Sequence, residues 1–98
     1  MGYRSDVRIL IPEKDFNELC NRMRKKLLQE KINSNLLDHL CIRQVRSGTE
    51  FGENGKQVKY VYFGWDSIKW YNTFTDVELI EDFLLELDDY HFIRLAKN

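Results

Sequence analysis

Cysteine, histidine, proline and glycine are all scarce in this chain of 98 residues, which holds two cysteines, two histidines, one proline and five glycines. Cys20 and Cys41 lie alone in apolar patterns, with no second pair at metal-ligand spacing, and His39 and His91 are isolated from both. The spacing therefore gives no support to a zinc site. We expect both thiols to be free and buried, and we expect no cofactor.

Long apolar runs are absent as well. No run approaches the roughly 20 residues that a membrane-spanning helix needs, and the opening MGYRSDVRILIP lacks the basic-then-apolar layout of a signal peptide. What is present is a hydrophobic content of 43%, which is ample for a core. We therefore expect one domain over residues 1–98, located in the cytoplasm.

Apolar spacing predicts six main elements. Alternation predicts strands over residues 3–11, 36–45, 57–65 and 90–96, and a short extra strand, IKWY, over residues 68–71. Steps of three and four predict a helix from Pro12 and a second helix from Thr75 to about Asp88, the latter begun by a capping box of Thr75 and Glu78. The dipeptide Asn54-Gly55 predicts a tight hairpin turn.

This order of elements predicts an α+β fold. Strand, helix, strand, strand, helix, strand is the order of a ferredoxin-like, or split βαβ, antiparallel sheet with two helices on one face. Right-handed crossovers then place the first and third strands at the centre. The IKWY segment would add a short hairpin arm.

Charge is distributed unevenly along the chain. From Tyr71 to Ile93 there are seven carboxylates and no Lys or Arg, whereas residues 1–70 carry thirteen basic and nine acidic side chains. An acidic helix can imitate the phosphate backbone of nucleic acid and occupy a basic groove on another protein. The candidate residues are Glu78, Glu81, Asp82 and Glu86. The competing interpretation is a solvated helix face whose acids pair partly with the basic first helix.

Aromatic residues gather between residues 60 and 71. Tyr60 and Tyr62 would share a strand face opposite Val61 and Phe63, so some aromatic surface should be exposed. Exposed Trp and Tyr favour protein interfaces, which makes Trp65, Trp70 and Tyr71 a second candidate surface. Self-association through a sheet face, or through the edge strand left open by the IKWY arm, is one use of it, and binding a foreign partner is another. The alternative is that most of these rings simply fill the core.

Catalysis has less support. Asp6, Asp38 and Asp66 could be assembled into a metal-dependent nuclease site, but their spacing does not favour it, and the sequence has no Gly-rich phosphate loop and no paired Cys/His nucleophile. We expect a non-catalytic binding protein that does not itself bind nucleic acid. The alternative is a small metal-dependent enzyme that processes nucleic acid.

The opening MGYRSDV, the central YFGWDSIKWY and the closing helix followed by FIRL resemble a family of small uncharacterised proteins from phages and mobile elements of Gram-positive bacteria. The resemblance covers most of the chain and implies no catalytic residue. It implies a setting, the cytoplasm of a bacterial host. Short stand-alone proteins with an acidic helix in that setting are often inhibitors of host defence complexes, anti-CRISPR proteins among them.

The non-catalytic interpretation makes a direct prediction. We expect the purified protein to leave DNA and RNA intact in the presence of Mg²⁺, because the carboxylates of the second helix lie along one outer face and do not converge. Incubation with labelled nucleic acid checks this. Mg²⁺-dependent cleavage that disappears in Asp6→Asn would contradict the non-catalytic interpretation.

Overall fold

The computed structural model describes residues 4–31, 35–49, 57–71 and 73–97. Strand β1 spans Arg4–Pro12, and its alternating pattern holds, because Ser5, Val7, Ile9 and Ile11 are buried on one face. Pro12 is the N-cap of helix α1, Glu13–Glu30, with φ −57°. Glu13 and Asp15 in the first turn suit the positive end of the helix dipole.

Helix α1 buries one stripe, Phe16, Leu19, Met23 and Leu27, at the spacing that the sequence predicts. It ends at Lys31, whose backbone is left-handed with φ 55° and whose amide donates to the carbonyls of Leu27 and Leu28. This closes the last turn in the usual manner of a left-handed helix cap, although without the glycine that such a cap favours.

The second strand begins later than predicted. Leu36–Asp38 form a 3₁₀ turn, capped by the side-chain oxygen of Asn35, which accepts from the Leu37 amide at 2.9 Å. Strand β2 is Ile42–Thr49. The predicted strand included Leu36, Leu37 and Leu40. These residues instead lie in this turn or just after it, and they pack against the core.

Strand β3 is Gln57–Ile68 and pairs antiparallel with β2, as a hairpin requires. The predicted Asn54-Gly55 turn lies outside the described residues. The predicted separate IKWY arm is wrong. Asp66, Ser67 and Ile68 continue β3, and Ile68 pairs with Ser5 of β1 across a bulge.

Three side chains of β1 hold this continuation in place. The Arg4 guanidinium donates to the Ser67 carbonyl at 2.9 Å, and the Ser67 amide donates to Asp6 Oδ1 at 2.9 Å. Arg8 donates to the Trp65 carbonyl at 2.9 Å and pairs with Asp66 at 2.5 Å. Ser67, with φ 51°, occupies the left-handed region that a bulge of this kind uses.

Helix α2 spans Thr75–Leu85, and strand β4 spans His91–Lys97. The helix starts at the predicted residue, but the capping box is wrong. Phe74 is the N-cap and makes no side-chain cap hydrogen bond, because Thr75 is the first helical residue and not the cap. Asp76 Oδ1 accepts from the Val77 amide of the first turn at 3.0 Å. The helix also ends earlier than Asp88. The apolar spacing predicts an inward stripe of Val77, Ile80, Leu84 and Leu87, but Leu87 lies beyond the helix and is half-buried.

The predicted α+β class is confirmed. The described strands form one antiparallel sheet in the order β2-β3-β1-β4, with β1 and β3 in the middle as predicted. Helix residues cover the face that carries Val7, Ile9, Val61, Phe63 and Trp65. The core therefore lies between the helices and this face, and the other face has no helix of the described chain upon it.

Strands β1 and β3 approach closely at Gly64. A Cβ atom there would lie 1.9 Å from the Val7 carbonyl oxygen, which is backbone and cannot move aside. Gly64→Ala should therefore break the central strand pair and lower the free energy of unfolding by about 3 kcal/mol or more. Denaturant unfolding measures it.

Gly48→Ala is the matched control, because the nearest atom to its added Cβ is a Tyr60 ring carbon at 3.0 Å, which can shift. A loss of about 1 kcal/mol or less is expected there. Equal losses at the two positions would show that the contact with Val7 does not limit the pairing of β1 and β3.

Candidate interaction surfaces

Three carboxylates form an exposed line along α2 and its C-cap residue, which we call the acidic surface: Glu78, Asp82 and Glu86. Val77, Ile80, Phe83 and Leu84 are buried on the opposite side, as the predicted stripe requires. Because four residues advance a helix by about 6 Å, the line places one carboxylate per 6 Å or so. Exposure of these three predicted residues is therefore confirmed.

The C-terminal end of the acidic surface is neutralised by α1. Arg22 donates to Glu86 Oε2 at 2.5 Å and to Glu18 Oε1 at 3.2 Å, and its guanidinium lies 4.9 Å from the centre of the Phe83 ring. The hydrogen bond to Glu86 raises the pKa of Arg22, so this cation stays charged. The expected pairing with the basic helix thus occurs at Glu86.

A shallow cleft of about 430 Å³ lies between the two helices, lined by Arg22, Lys26, Glu78, Asp82 and Phe83 among others. Lys26 pairs with Glu30 of its own helix at 3.1 Å. Within the described residues, neither Glu78 nor Asp82 has an ion pair. The free negative charge of the acidic surface is therefore concentrated at these two residues.

Glu81 does not belong to this surface. It is half-buried, and its Oε1 accepts a hydrogen bond from the Trp70 indole N–H at 2.7 Å. The prediction of Glu81 as an exposed partner-binding charge is wrong, because the indole of the core needs an acceptor and this carboxylate is the one that meets it.

Trp65 and Trp70 are core residues, each only 1% exposed. Their rings lie 5.4 Å apart between centroids, and the chain of contacts runs on from Trp65 to Phe63 and from Trp70 to Phe92. The Trp65 indole donates to the Leu36 carbonyl at 2.9 Å. Both tryptophans therefore fill the core, which was the alternative interpretation of these rings. Neither can contact a partner while the protein is folded.

Tyr71, the third predicted aromatic, is half-buried and packs its ring 5.4 Å from that of Phe74, which is exposed. The aromatic surface expected from alternation lies elsewhere, on the sheet face without helices. Tyr60 and Tyr62 are half-buried there, opposite the buried Val61 and Phe63. The prediction of their shared face is confirmed.

Sequence reasoning did not single out β4. Ile93 and Leu95 are 57% and 62% exposed on the sheet face without helices, and Leu85 and Tyr90 are exposed on the helix side of the same edge. Alternation in HFIRLA shows that Ile93 and Leu95 share a face. It does not show that the strand lies at the edge of the sheet.

The acids of the enzymatic alternative do not form a metal site among the described residues. Asp6 accepts from the Ser67 amide, and Asp66 pairs with Arg8, whose pKa this hydrogen bond raises. Nowhere in the described parts of the chain do three or more Asp, Glu, His or Cys residues group as metal ligands would. Both carboxylates on the central strands thus hold the bulge of β3.

The two cysteines are free thiols in different surroundings. Cys20 is half-buried on α1, and burial raises the pKa of its thiol, which favours the unreactive protonated form. Cys41 is exposed, contrary to prediction, and its Sγ accepts from the Asp66 amide at 3.3 Å. It lies in the short segment between the 3₁₀ turn and β2, so the core does not cover it.

Comparison with known proteins identifies no relative. No family model and no curated protein matches the sequence. Among solved structures, a de novo designed protein, Foldit4, is similar over 100% of this chain and 98% of its own, with 19% identity and a TM-score of 0.34. No helix in the described parts of the chain is both long enough and apolar enough to cross a membrane.

The hydrogen bond from Trp70 to Glu81 predicts a stability effect. Glu81→Ala leaves a buried indole N–H without its acceptor and should cost about 1–3 kcal/mol of unfolding free energy. Glu81→Gln keeps an oxygen acceptor and should cost less. Thermal and denaturant unfolding, followed by the fluorescence of the buried tryptophans, measure both.

Glu78→Ala is the control, because this exposed residue has no ion pair in the described structure, and it should change stability by no more than about 0.5 kcal/mol. If Glu81→Ala were as stable as Glu78→Ala, Glu81 would be a surface charge after all.

Proposed function

We propose that this protein is a non-catalytic binding protein that uses the acidic surface of α2 to occupy a basic groove on a foreign protein. The observation that carries the proposal is the exposed line of Glu78, Asp82 and Glu86 on a helix whose opposite side is buried. A helix fixed in this way presents its charges in one orientation, so their positions are set before a partner binds.

The spacing of the charges supports a groove that normally holds nucleic acid. One carboxylate per 6 Å or so along the helix is about half the charge density of a single B-DNA strand, which carries one charge per 3.4 Å or so. Asp76, which is half-buried in the first turn of α2, adds a further negative charge near Glu78. A partial imitation of a phosphate row is therefore available at the N-terminal half of the helix.

The residues differ in the role we assign to them. Glu78 and Asp82 are the principal charges, because within the described residues no cation pairs with them. Glu86 contributes less, since Arg22 would have to release it. Glu81, Trp65 and Trp70 support the surface from below by holding α2 against the sheet, and they do not contact the partner.

The biological setting of the proposal comes from the resemblance to proteins of phages and mobile elements. In that setting the partner is a nucleic-acid-binding component of a bacterial defence complex, and the protein acts in the host cytoplasm as an inhibitor of anti-CRISPR type. The proposal includes no catalytic step and no cofactor.

Charge reversal tests the proposal. Glu78→Lys combined with Asp82→Lys should leave the fold intact, because both side chains are exposed. Capture from bacterial lysate with the parent should recover a nucleic-acid-binding protein, and the double variant should lose it. Binding of the purified pair should weaken as salt rises, since exposed charges are screened over about 8 Å at physiological ionic strength.

The matched control is Asp38→Lys combined with Asp88→Lys, which changes the net charge equally at two exposed carboxylates that are not part of the acidic surface. This control should bind as the parent does. Two results would overturn the proposal: equal binding by the parent and the α2 variant at low salt, or equal loss of binding in both variants. The parent should also displace labelled DNA from the captured partner and should not bind that DNA alone.

A further inference from the structure

Strand β4 is an edge strand with little protection. Among the described strands it pairs only with β1, so its outer row of backbone N–H and C=O groups faces away from the sheet. Proteins usually guard such an edge with charged side chains, proline or a bulge. The stretch Phe92–Leu95 has only Arg94 for this, and Arg94 is drawn back over its own sheet, where its Nε donates to Ser5 Oγ at 3.0 Å.

The opposite edge, β2, also carries basic residues. Arg43 lies with its guanidinium 4.9 Å from the Phe16 ring centre, and Arg46 donates to Gln44 at 2.9 Å, so two cations lie along that strand. Its exposed apolar residue, Val45, lies between them at 51% exposure. Both edge strands thus contain two basic residues, Arg43 and Arg46 in β2 and Arg94 and Lys97 in β4, and they differ in the number of exposed large apolar side chains, one in β2 and two in β4.

Apolar side chains flank β4 on both faces of the sheet. On the face without helices, Ile93 and Leu95 are largely exposed. On the helix side, a shallow cleft of about 230 Å³ is lined by Glu81, Leu84, Leu85, Tyr90 and Phe92. Leu85 is 76% exposed at the rim of this cleft. A strand added along β4 would thus gain backbone hydrogen bonds and would cover apolar surface above and below them.

We propose that the strand added there is β4 of a second copy of this chain, which joins two four-stranded sheets into one through a two-fold axis at Ile93. In an antiparallel pair, residues directly opposite share a face. An axis at Ile93 places Ile93 opposite Ile93 of the second copy and His91 opposite Leu95, all on the face without helices. An axis at Arg94 would instead place two like charges opposite each other, which is unfavourable.

Charge also favours the axis at Ile93. On the helix side, it places Arg94 of one copy opposite Phe92 of the other, beside the cleft that carries the Glu81 carboxylate. A cation then meets an aromatic ring and an acid, and the symmetry makes this contact twice. A foreign strand would need the same pattern by coincidence, whereas a second copy supplies it. The inference does not rest on the proposed function.

Light scattering on the full chain over a range of concentrations tests the inference. The parent should approach twice the chain mass of 11.8 kDa as concentration rises. Ile93→Lys, at an exposed position, should keep the circular dichroism of the parent and weaken association by about tenfold or more, because a lysine on the edge opposes strand pairing. Leu95→Lys is the second variant, should Ile93→Lys not fold.

Val45→Lys is the matched control, since it places the same charge on the other edge strand, and it should dimerise as the parent does. If light scattering gives the mass of a single chain for the parent protein at every concentration, the inference is overturned. A dimer that Val45→Lys dissociates and Ile93→Lys leaves intact would overturn it as well.

Cross-linking tests the register. Opposed residues of an antiparallel pair have Cα atoms about 4.5–5.5 Å apart, within the range that a disulfide spans. Under mild oxidation Ile93→Cys should therefore give a covalent dimer, whereas Val45→Cys and the parent, which retains Cys20 and Cys41, should not. Equal cross-linking in all three would mean that the native thiols or random collisions form the bond, and the axis at Ile93 would be rejected.

Discussion

The bulge that joins the end of β3 to β1 sets the course of the rest of the chain. Ser67 adopts a left-handed backbone there, held by Asp6 at its amide and by Arg4 at its carbonyl. Bulges redirect a strand, and here the redirected segment brings Trp70 into the core against Trp65 and Phe92. The position of α2, and with it the acidic surface, follows from where Trp70 is buried, because Glu81 on that helix accepts its indole N–H.

The charged side chains of the central strands thus bond to backbone groups or to each other. Asp6 and Asp66 are the acids that a nuclease on such a sheet would use, yet they bond Ser67 and Arg8 respectively. Arg8 in turn donates to the Trp65 carbonyl. These side chains thus have a structural task at the bulge, which residue type alone does not show. Exposed charged and apolar side chains are found on the outer side of α2 and on the sheet face and edge that no described helix covers.

Charge and apolar surface are separated on this molecule. Glu78 and Asp82, which have no ion pair within the described residues, lie on the outer side of α2, whereas the exposed apolar residues Leu85, Ile93 and Leu95 gather around β4. Leu85 is the last residue of α2, so the two surfaces meet at one end of that helix. A dimer through β4 would leave Glu78 and Asp82 accessible, because they face the cleft beside α1 and not the strand edge.

Local sequence patterns determined those helices and strands that bury one face. The alternation in β1 and β3 and the stripes of α1 and α2 are visible in the sequence, because a residue must match its face wherever the element packs. The α+β class and the central positions of β1 and β3 follow from element order and crossover handedness. The exposure of Glu78, Asp82 and Glu86 follows from the stripe on the other side of their helix.

What only the tertiary structure decided concerns residues whose neighbours are distant in sequence. Trp65 and Trp70 looked available for binding, but the bulge and the helices enclose both, since a small core is filled best by its largest rings. Glu81 is spaced like a surface acid, yet it lies over Trp70, eleven positions before it. The IKWY segment alternates like a strand of its own, but only Ile68 is in a strand, as the last residue of β3, and the preceding Ser67 is held by Arg4 and Asp6, more than sixty residues away. Strand order decides that β4 is an edge, because hydrogen bonding between strands leaves no mark on the side-chain alternation of a single strand.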